Sequence, residues 1–319
     1  MRLSLVMPCY NEAENVRAMH DAVETAFADC GFAYEMVFVD DGSRDATWAA
    51  LKALRAHSAQ NVRLVRFSRN FGKESAIYAG LSHAKGELVT LIDADLQQPP
   101  ALALEMVRHL EAHPEDDCVA AFQEQRREGA ATVFLKRGFY ALMNRVTEIE
   151  FVQGASDFRT MRRSMVDAVL SLCEHNRFSK GIFSWVGFQT HYVPYTARER
   201  HAGSTKWGTW KLFKYAFDGI VSFTTMPLRL AAFAGAGAAL ASLVYGVVVV
   251  IQKLAFDIAV PGYATLVVLL LLLGGAQLFF MGILGEYLAK TYVESKRRPI
   301  YLAREICEPK AARCEEEAQ

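Results

Sequence analysis

The chain has 319 residues, of which 35 are basic and 35 are acidic, so its formal net charge at pH 7 is zero. Hydrophobic residues make up 52% of it and charged residues 22%, which excludes a disordered protein and argues against nucleic-acid binding through a basic surface. Its six cysteines form no C-x-x-C pair, which argues against a disulfide framework and fits a reducing compartment.

The N-terminal part of the chain alternates between apolar runs and segments with helical spacing. Apolar runs at residues 2–8, 35–39, 62–67 and 88–92 predict strands, and residues 15–28, 47–56 and 75–84 predict helices. Strands that alternate with helices indicate an α/β fold with a mainly parallel sheet. In such sheets, ligands bind at the carboxyl ends of the strands.

An almost uncharged block follows at residues 230–285. Only two of its 56 residues are charged, Lys253 and Asp257. They divide the block into runs at 230–252 and 258–285, each longer than the roughly 20 apolar residues that a helix needs to cross a bilayer. We expect a transmembrane helical hairpin whose two ends emerge on the same side. The alternative is a pair of buried helices in a soluble core, which rarely run so long without a charge.

Basic residues flank this hairpin on both sides, whereas its tip carries one lysine. They are Arg200, Lys206, Lys211, Lys214 and Arg229 before it, and Lys290, Lys296, Arg297, Arg298 and Arg304 after it. This bias predicts a multi-pass protein of the cytoplasmic (inner) membrane with its soluble domain and both termini in the cytoplasm. Residues 207–229 are expected to form an amphipathic juxtamembrane segment, or else an ordinary surface helix, and residues 286–319 a cytoplasmic C-terminal segment.

Polar clusters follow three of the predicted strands. Asp93 and Asp95, two residues apart after an apolar strand, can converge on one hard cation, and Gln97 can supply a third oxygen. Mg²⁺ or Mn²⁺ held there would neutralise a diphosphate, whereas the alternative for this pair is a solvated helix cap. Residues 40–43 (DDGS) can form a turn and helix cap, or present a carboxylate to a base or a ribose.

Motifs of other nucleotide enzymes are missing. No G-x-G-x-x-G follows the first strand and no G-x-x-x-x-G-K-[ST] occurs, which disfavours a dinucleotide oxidoreductase and a P-loop ATPase. His83, His109 and His191 have no second ligand at metal-binding spacing, so we expect them to be isolated surface or core residues.

The order of the motifs resembles that of glycosyltransferase family 2. Residues 8–12 (PCYNE), 39–43 (VDDGS) and 93–97 (DADLQ) carry the resemblance. Residues 156–159 (SDFR), 200–207 (RHAGSTKW) and 227–229 (PLR) narrow it to the polyprenyl-phosphate glycosyltransferases, the group of dolichol-phosphate mannose synthase and bactoprenol glucosyltransferase. The resemblance spans about residues 2–298 and implies a GT-A type nucleotide-sugar domain at residues 1–206, ahead of the membrane hairpin.

The resemblance also implies roles for individual residues on the donor side. Asp93, Asp95 and Gln97 would hold the metal ion, Mg²⁺ or Mn²⁺. Contacts with the nucleotide sugar are implied for Pro8, Tyr10, Glu12, Val39, Asp41, Asp93, Ala94, Arg200 and Lys206. The last two would close over the diphosphate from a mobile loop, or alternatively contact anionic lipids.

On the acceptor side, the resemblance places Asp157 at the position of the catalytic base. Because a phosphate acceptor is already anionic near neutral pH, Asp157 could instead orient the acceptor, and a salt bridge with Arg159 is the structural alternative. Lys136 and Arg137 could bind the acceptor phosphate, or form a solvated basic face.

Together with these features, the resemblance implies transfer of a sugar, with inversion, from a nucleotide diphosphate sugar to polyprenyl phosphate at the cytoplasmic membrane face. UDP-glucose is the favoured donor, and a GDP-mannose-dependent mannosyltransferase is the alternative. A processive polysaccharide synthase would need more spans and a Q-x-x-R-W element, which the chain lacks. A non-catalytic, membrane-anchored nucleotide-binding scaffold is the alternative from another class. Small residues at 235–239 (GAGAA) would also allow packing as a homo-oligomer.

Overall fold

The computed structural model describes residues 1–58, 61–123, 154–196, 224–256 and 262–309. The chain divides into two compact units. One comprises Met1–Thr209 together with Arg298–Gln319, and the other comprises Trp210–Arg297. The C-terminal segment therefore belongs to the same unit as the N-terminal domain.

The first unit is built on a sheet whose strands alternate with helices along the chain. Its elements are β1 (Leu3–Cys9), α1 (Asn15–Ala26), β2 (Tyr34–Asp40), α2 (Thr47–His57), β3 (Asn61–Phe67), α3 (Lys73–His83), β4 (Leu88–Leu91), α4 (Pro100–Ala112), β5 (Cys118–Gln123), β6 (Ala155–Arg162), α5 (Arg163–Ser171), α6 (Ser179–Trp185) and β7 (Thr190–Tyr195). The four predicted strands and three predicted helices are confirmed, with ends that differ by at most two residues.

The described part of the sheet has eight strands in the order β7-β5-β6-β4-β1-β2-β3-β8, where β8 is Ala303–Cys307. β1 pairs in parallel with β2 and β4, and β2 pairs in parallel with β3. β6 runs antiparallel between β4 and β5, and β8 runs antiparallel to β3. The predicted mainly parallel α/β sheet is confirmed. Because β6 is reversed, its first residues lie beside the carboxyl end of β4.

Both faces of the central strands are covered by helices. Leu5 and Met7 of β1 are fully buried and belong to one core cluster with Val16 and Met19 of α1. On α3, a Cβ at Gly80 would lie 2.2 Å from Cγ1 of Val6, so this helix packs directly on β1. Burial on both faces is the reason that these strands read as continuous apolar runs rather than as alternating ones.

Strand β8, which follows the second unit in the chain, was not predicted from the sequence. It covers the edge of β3, where Val65 is paired with Ile306. Side chains add to the pairing: the indole N–H of Trp48 donates to Glu305 at 3.2 Å, and the Tyr301 ring stacks on Phe67 with 4.8 Å between centroids. The C-terminal segment is thus a structural part of the N-terminal domain.

The second unit contains two long helices, α7 (Met226–Phe256) and α8 (Tyr263–Ser295). By length and composition, Met226–Gln252 and Val268–Ser295 are each apolar and long enough to cross a membrane. The apolar side chains along these helices are exposed in the chain alone, Leu271 for example at 71%. α7 extends beyond the charge-free run at 230–252 at both ends, and α8 extends beyond the run at 258–285 at its C-terminal end. A charged residue ends the apolar stretch without ending helical hydrogen bonding. Residues 207–223 of the predicted juxtamembrane segment lie outside the described residues.

Candidate active site

The candidate site lies where β1 to β4 end and β6 begins. Lys73, the first residue of α3, places its ammonium nitrogen 2.8 Å from Oδ1 of Asp93 and 2.9 Å from Oδ2 of Asp157. The second oxygen of Asp93 lies 3.0 Å from the same nitrogen. One lysine therefore joins the first aspartate of the D-x-D motif to the aspartate that the family resemblance places at the catalytic base.

The register of β4 and β6 explains why these two aspartates meet. Leu91 is paired with Arg159 in the antiparallel ladder. Continuing that register by two residues brings Asp93 opposite Asp157, because the partners of an antiparallel pair advance in opposite directions. Lys73 enters from the connection between β3 and α3. The site is therefore a direct product of the sheet topology.

Asp157 pairs with Lys73 and not, as the sequence left open, with Arg159. The guanidinium of Arg159 donates instead to the carbonyl of Ser156 at 3.0 Å and lies 3.9 Å from the ring centroid of Phe183. Arg159 still contributes its charge to the surroundings of Asp157.

Opposing effects set the charges of this cluster. Burial by itself raises the pKa of the Asp157 carboxyl, but the charges of Lys73 and Lys180 and the hydrogen bond from Lys73 outweigh it, and the pKa lies well below its ordinary value. Burial by itself lowers the pKa of the Lys73 ammonium, but the charges of Asp157 and Asp93 raise it well above its ordinary value. Lys73 is therefore positively charged and Asp157 is ionised, with Lys180 and Arg159 as further positive charges near Asp157.

The D-x-D turn is braced by a residue that the sequence analysis did not select. Gln98 accepts a hydrogen bond from the backbone N–H of Asp93 at 2.8 Å and donates to the Asp93 carboxylate at 3.3 Å. The N–H of Gln97 donates to Oδ1 of the buried Asp95 at 3.2 Å. The predicted metal ligands therefore lie on one turn, and their carboxylate and amide oxygens fit the preference of Mg²⁺ and Mn²⁺.

The turns after β1 and β2, predicted to hold the nucleotide, are joined by hydrogen bonds. The N–H of Asn11 donates to Oγ of Ser43 at 2.9 Å, and the side-chain carbonyl of Asn11 accepts from the N–H of Arg44 at 2.9 Å. The N–H of Glu12 donates to Oγ1 of Thr47 at 2.9 Å. The motifs PCYNE and DDGS therefore form one edge beside the acidic cluster.

The other residues predicted on this edge differ in how they can reach a ligand. Pro8 and Val39 are partners in the ladder between β1 and β2. The side chains of Val39 and Ala94 are buried, so these two positions can reach a ligand only through the main chain, whereas Pro8 and Tyr10 are partly exposed.

Asp41 anchors the loop that leads into Lys73. Its carboxylate accepts hydrogen bonds from the N–H groups of Phe71 at 2.7 Å and Gly72 at 3.0 Å, and from the side-chain amide of Asn70 at 2.9 Å. Burial raises the pKa of Asp41 to about 6, although the hydrogen bonds from Phe71 and Gly72 lower it. Besides its predicted nucleotide contact, which stays a prediction, Asp41 thus positions the start of α3.

Gly42 allows this loop to approach β2. It has a φ of +64°, and a Cβ at this position would lie 2.4 Å from the carbonyl carbon of Arg69. A positive φ is costly for any residue with a side chain, and a backbone atom cannot move aside as a flexible side chain can. The glycine of DDGS is therefore required by both its conformation and its neighbour.

Tyr195, at the end of β7, also faces the acidic cluster. Burial raises the pKa of its phenol, and the charges of Asp93, Asp95 and Asp157 raise it further. Neither Tyr195 nor Lys73 was selected from the sequence. Lys73 had a usable signal, because it follows a strand of the parallel sheet just as the three selected motifs do.

Four predicted site residues lie outside the described residues: Lys136, Arg137, Arg200 and Lys206. Their contacts with an acceptor phosphate or a donor diphosphate stay predictions.

The prediction that His109 and His191 are isolated is wrong. Their rings stack with centroids 4.1 Å apart, and His113 stacks on His109 at 4.4 Å. His109 Nε2 lies 2.8 Å from Oδ2 of Asp116, and His109, Asp116 and His191 are close enough to share a metal ion. The contact joins α4 to β7 at the start of β5, which is the end of the sheet away from the acidic cluster. Local spacing misses it because the two histidines are distant in the chain.

Two family models match the two structural units of this chain. Residues 4–170 match "Glycosyl transferase family 2", and residues 226–291 match "GtrB C-terminal hairpin". The chain belongs to glycosyltransferase family 2. The first match contains Lys73, Asp93, Asp95 and Asp157, and the second contains α7 and most of α8. This glycosyltransferase therefore has a GT-A type α/β domain and an apolar helical hairpin, as the resemblance implied.

Relatives match over almost the whole chain. The bactoprenol glucosyl transferase of Shigella phage SfV is 40% identical over 302 residues, which cover 95% of this chain and 98% of the relative. The prophage bactoprenol glucosyl transferase homolog of Escherichia coli K12 is 38% identical over 306 residues, which cover 96% and 99%. Among solved structures, glucosyl-3-phosphoglycerate synthase from Mycobacterium tuberculosis is similar at 20% identity with a TM-score of 0.46, over 68% of this chain and 76% of that one.

Proposed function

We propose that this glycosyltransferase moves glucose from UDP-glucose to polyprenyl phosphate at the cytoplasmic face of the inner membrane. The observation that carries the proposal is the presence, in one chain, of a family 2 domain and a GtrB-type hairpin whose helices are apolar and long enough to cross a membrane. Relatives that share both parts over nearly their full length are named bactoprenol glucosyl transferases.

The donor would bind along the carboxyl ends of β1, β2 and β4. Pro8, Tyr10, Glu12 and the turn at residues 39–43 would contact the nucleoside, and the turn from Asp93 to Gln97 would face the diphosphate. A bound Mg²⁺ or Mn²⁺ would supply charge neutralisation for that diphosphate. Support comes from the oxygen ligands that Asp93, Asp95 and Gln97 offer on one turn.

The reaction would be a single displacement at the anomeric carbon. An oxygen of the lipid phosphate forms the new bond to carbon while the bond to the β-phosphate oxygen breaks, and UDP leaves with the bonding electrons. An α-linked donor then gives a β-linked lipid phosphate sugar. Asp157 would orient the acceptor and not take up a proton, because its pKa is low and a phosphate is already anionic near neutral pH.

Basic residues on both flanks of the hairpin support the proposed orientation, with the catalytic domain and both termini in the cytoplasm. Accessibility of a cysteine introduced at the hairpin tip, and of one introduced near the C-terminus, to a membrane-impermeant thiol reagent in spheroplasts measures this orientation.

The test is radiolabelled transfer to polyprenyl phosphate in detergent, with Mg²⁺ or Mn²⁺ and a panel of donors that includes UDP-glucose and GDP-mannose. We expect transfer from UDP-glucose, a loss of at least about a hundredfold in Asp95→Ala because a metal ligand is removed, and a comparable loss in Asp157→Asn because the acceptor is misplaced. Transfer by Asp95→Ala at the wild-type rate would refute the metal assignment. Faster transfer from GDP-mannose than from UDP-glucose would show that GDP-mannose is the donor.

The same assay separates an enzyme from a binding scaffold. Free nucleoside diphosphate should be released only when lipid phosphate is present. Binding of UDP-glucose with no release of UDP under any acceptor condition would favour the scaffold.

A further inference from the structure

The ammonium group of Lys73 contacts more carboxylate oxygens than a single ion pair would involve. Its ammonium has three protons and three carboxylate oxygens within 3.0 Å, two of them on Asp93 and one on Asp157. Asp93 is also the residue through which this site would hold a divalent cation. A divalent cation and an ammonium group bound to the same carboxylate repel each other strongly, because both are positive and water screens them only in part.

We propose that the ammonium group of Lys73 neutralises Asp93 while no metal ion is bound. When a divalent cation binds, this ammonium leaves Asp93 and contacts a phosphate oxygen of a substrate. The proposal rests on the proposed function for the identity of that phosphate. The acceptor phosphate and the donor diphosphate present the same chemistry, and the experiment below distinguishes them.

The surroundings of Lys73 permit this exchange. Its side chain is 41% exposed, so the ammonium group can turn about its own flexible stem, whereas Asp93 is held from behind by Gln98 and Asp157 is only 17% exposed. The backbone at the start of α3 is fixed, because Asp41 binds the N–H groups of Phe71 and Gly72 just before it. The ammonium group can therefore move while the backbone of Lys73 and the carboxylates of Asp93 and Asp157 stay in place. This is what replacement of the ammonium by a divalent cation requires.

Asp157 gives the exchange a direction. With the divalent cation on Asp93, the ammonium keeps one partner, the carboxylate of Asp157, and has free donors for a new anion. A lysine binds phosphate as a compact point charge with rotatable donors. Lys73 would thus neutralise Asp93 when no divalent cation is bound, and bind a substrate phosphate when the cation is present.

The first measurement is the affinity of the full-length protein for Mn²⁺ in the absence of donor. The paramagnetic resonance signal of free Mn²⁺ reports how much of the ion stays unbound. Lys73→Met removes the competing charge, so we expect Mn²⁺ to bind at least threefold more tightly than in wild type. Lys73→Gln also removes the charge but can still hydrogen-bond both carboxylates, and should tighten binding in the same direction even if Lys73→Met folds poorly. The matched control is Lys52→Met, the same change at an exposed lysine of α2, which should bind Mn²⁺ like wild type. Weaker or unchanged binding in both neutral variants overturns the proposal.

The second measurement is steady-state transfer with each substrate varied in turn. Lys73→Gln should lower kcat/KM at least tenfold for the substrate whose phosphate Lys73 contacts: an effect confined to polyprenyl phosphate assigns the acceptor, and one confined to UDP-glucose assigns the donor. Values equal to those of Lys52→Met for both substrates overturn the proposal. The Mn²⁺ titration needs no acceptor, so it decides on Lys73 even if wild-type protein fails to use polyprenyl phosphate.

Discussion

Replacing Asp41 by Asn should remove a pH dependence from the stability of the catalytic domain. The pKa of Asp41 in the folded protein is about 6, against an ordinary value of 3.8, and burial is the main cause. A shift of about two pH units corresponds to about 3 kcal/mol, since each unit is worth about 1.4 kcal/mol. The asparagine is neutral at every pH and keeps one carbonyl oxygen as an acceptor for the loop before α3.

The direction follows from where the proton is held more tightly. Because the folded protein binds it more tightly than the unfolded chain does, burial of Asp41 costs nothing below pH 3.8, costs progressively more between pH 3.8 and about 6, and costs its full amount above that. Relative to Asp41→Asn, wild type should therefore lose up to about 3 kcal/mol of unfolding free energy as the pH rises from 4 to 7.

Thermal unfolding in detergent across this pH range measures the effect. For a domain of this size, 3 kcal/mol corresponds to a Tm difference of roughly 6–12 °C. The quantity to follow is the Tm of wild type minus that of Asp41→Asn, which cancels other titrating groups. Asp29→Asn, at an exposed residue just after α1, is the control and should give a flat difference. A flat difference for Asp41→Asn as well would refute the assigned pKa and its cause.

Two further changes probe the supports of the site. Gly42→Ala should destabilise the domain by at least 1 kcal/mol more than Gly31→Ala, because both glycines have a positive φ but only Gly42 meets a backbone carbonyl; equal Tm losses would contradict this. Gln98→Leu should weaken Mn²⁺ binding roughly tenfold by releasing the Asp93 carboxylate, and calorimetric affinities within twofold of wild type would show that Gln98 does not orient Asp93.

The sequence predicted those parts of the fold that depend on local pattern. Buried parallel strands read as apolar runs and their crossover helices as periodic ones, so β1 to β4 and α1 to α3 were located to within two residues. Asp93 and Asp95 were selected because they directly follow such a run. Asp157 came from the family resemblance, and its place beside Asp93 depends on a strand reversal that no local pattern reports.

The features that were not predicted from the sequence depend on contacts between segments that are distant in the chain. Lys73 has no partner at a recognisable spacing, and its role appears only when α3, β4 and β6 converge. His109 and His191 meet only because β7 pairs with β5. Strand β8 is short and carries Arg304 and Glu305 among its five residues, so it lacks the apolar run by which the buried strands were found.

The position of β8 in the chain has a consequence for synthesis. The strand that it covers, β3, ends at Phe67, whereas β8 begins at Ala303, so the whole hairpin is translated between the two. At about 5–20 residues per second, the edge of β3 waits roughly 10–50 s for its partner. An open strand edge is a template for pairing with other chains. The sheet of the catalytic domain can therefore be completed only after the membrane segment has been synthesised. A nascent chain whose translation stops within the hairpin keeps the edge of β3 unpaired and able to pair with other chains.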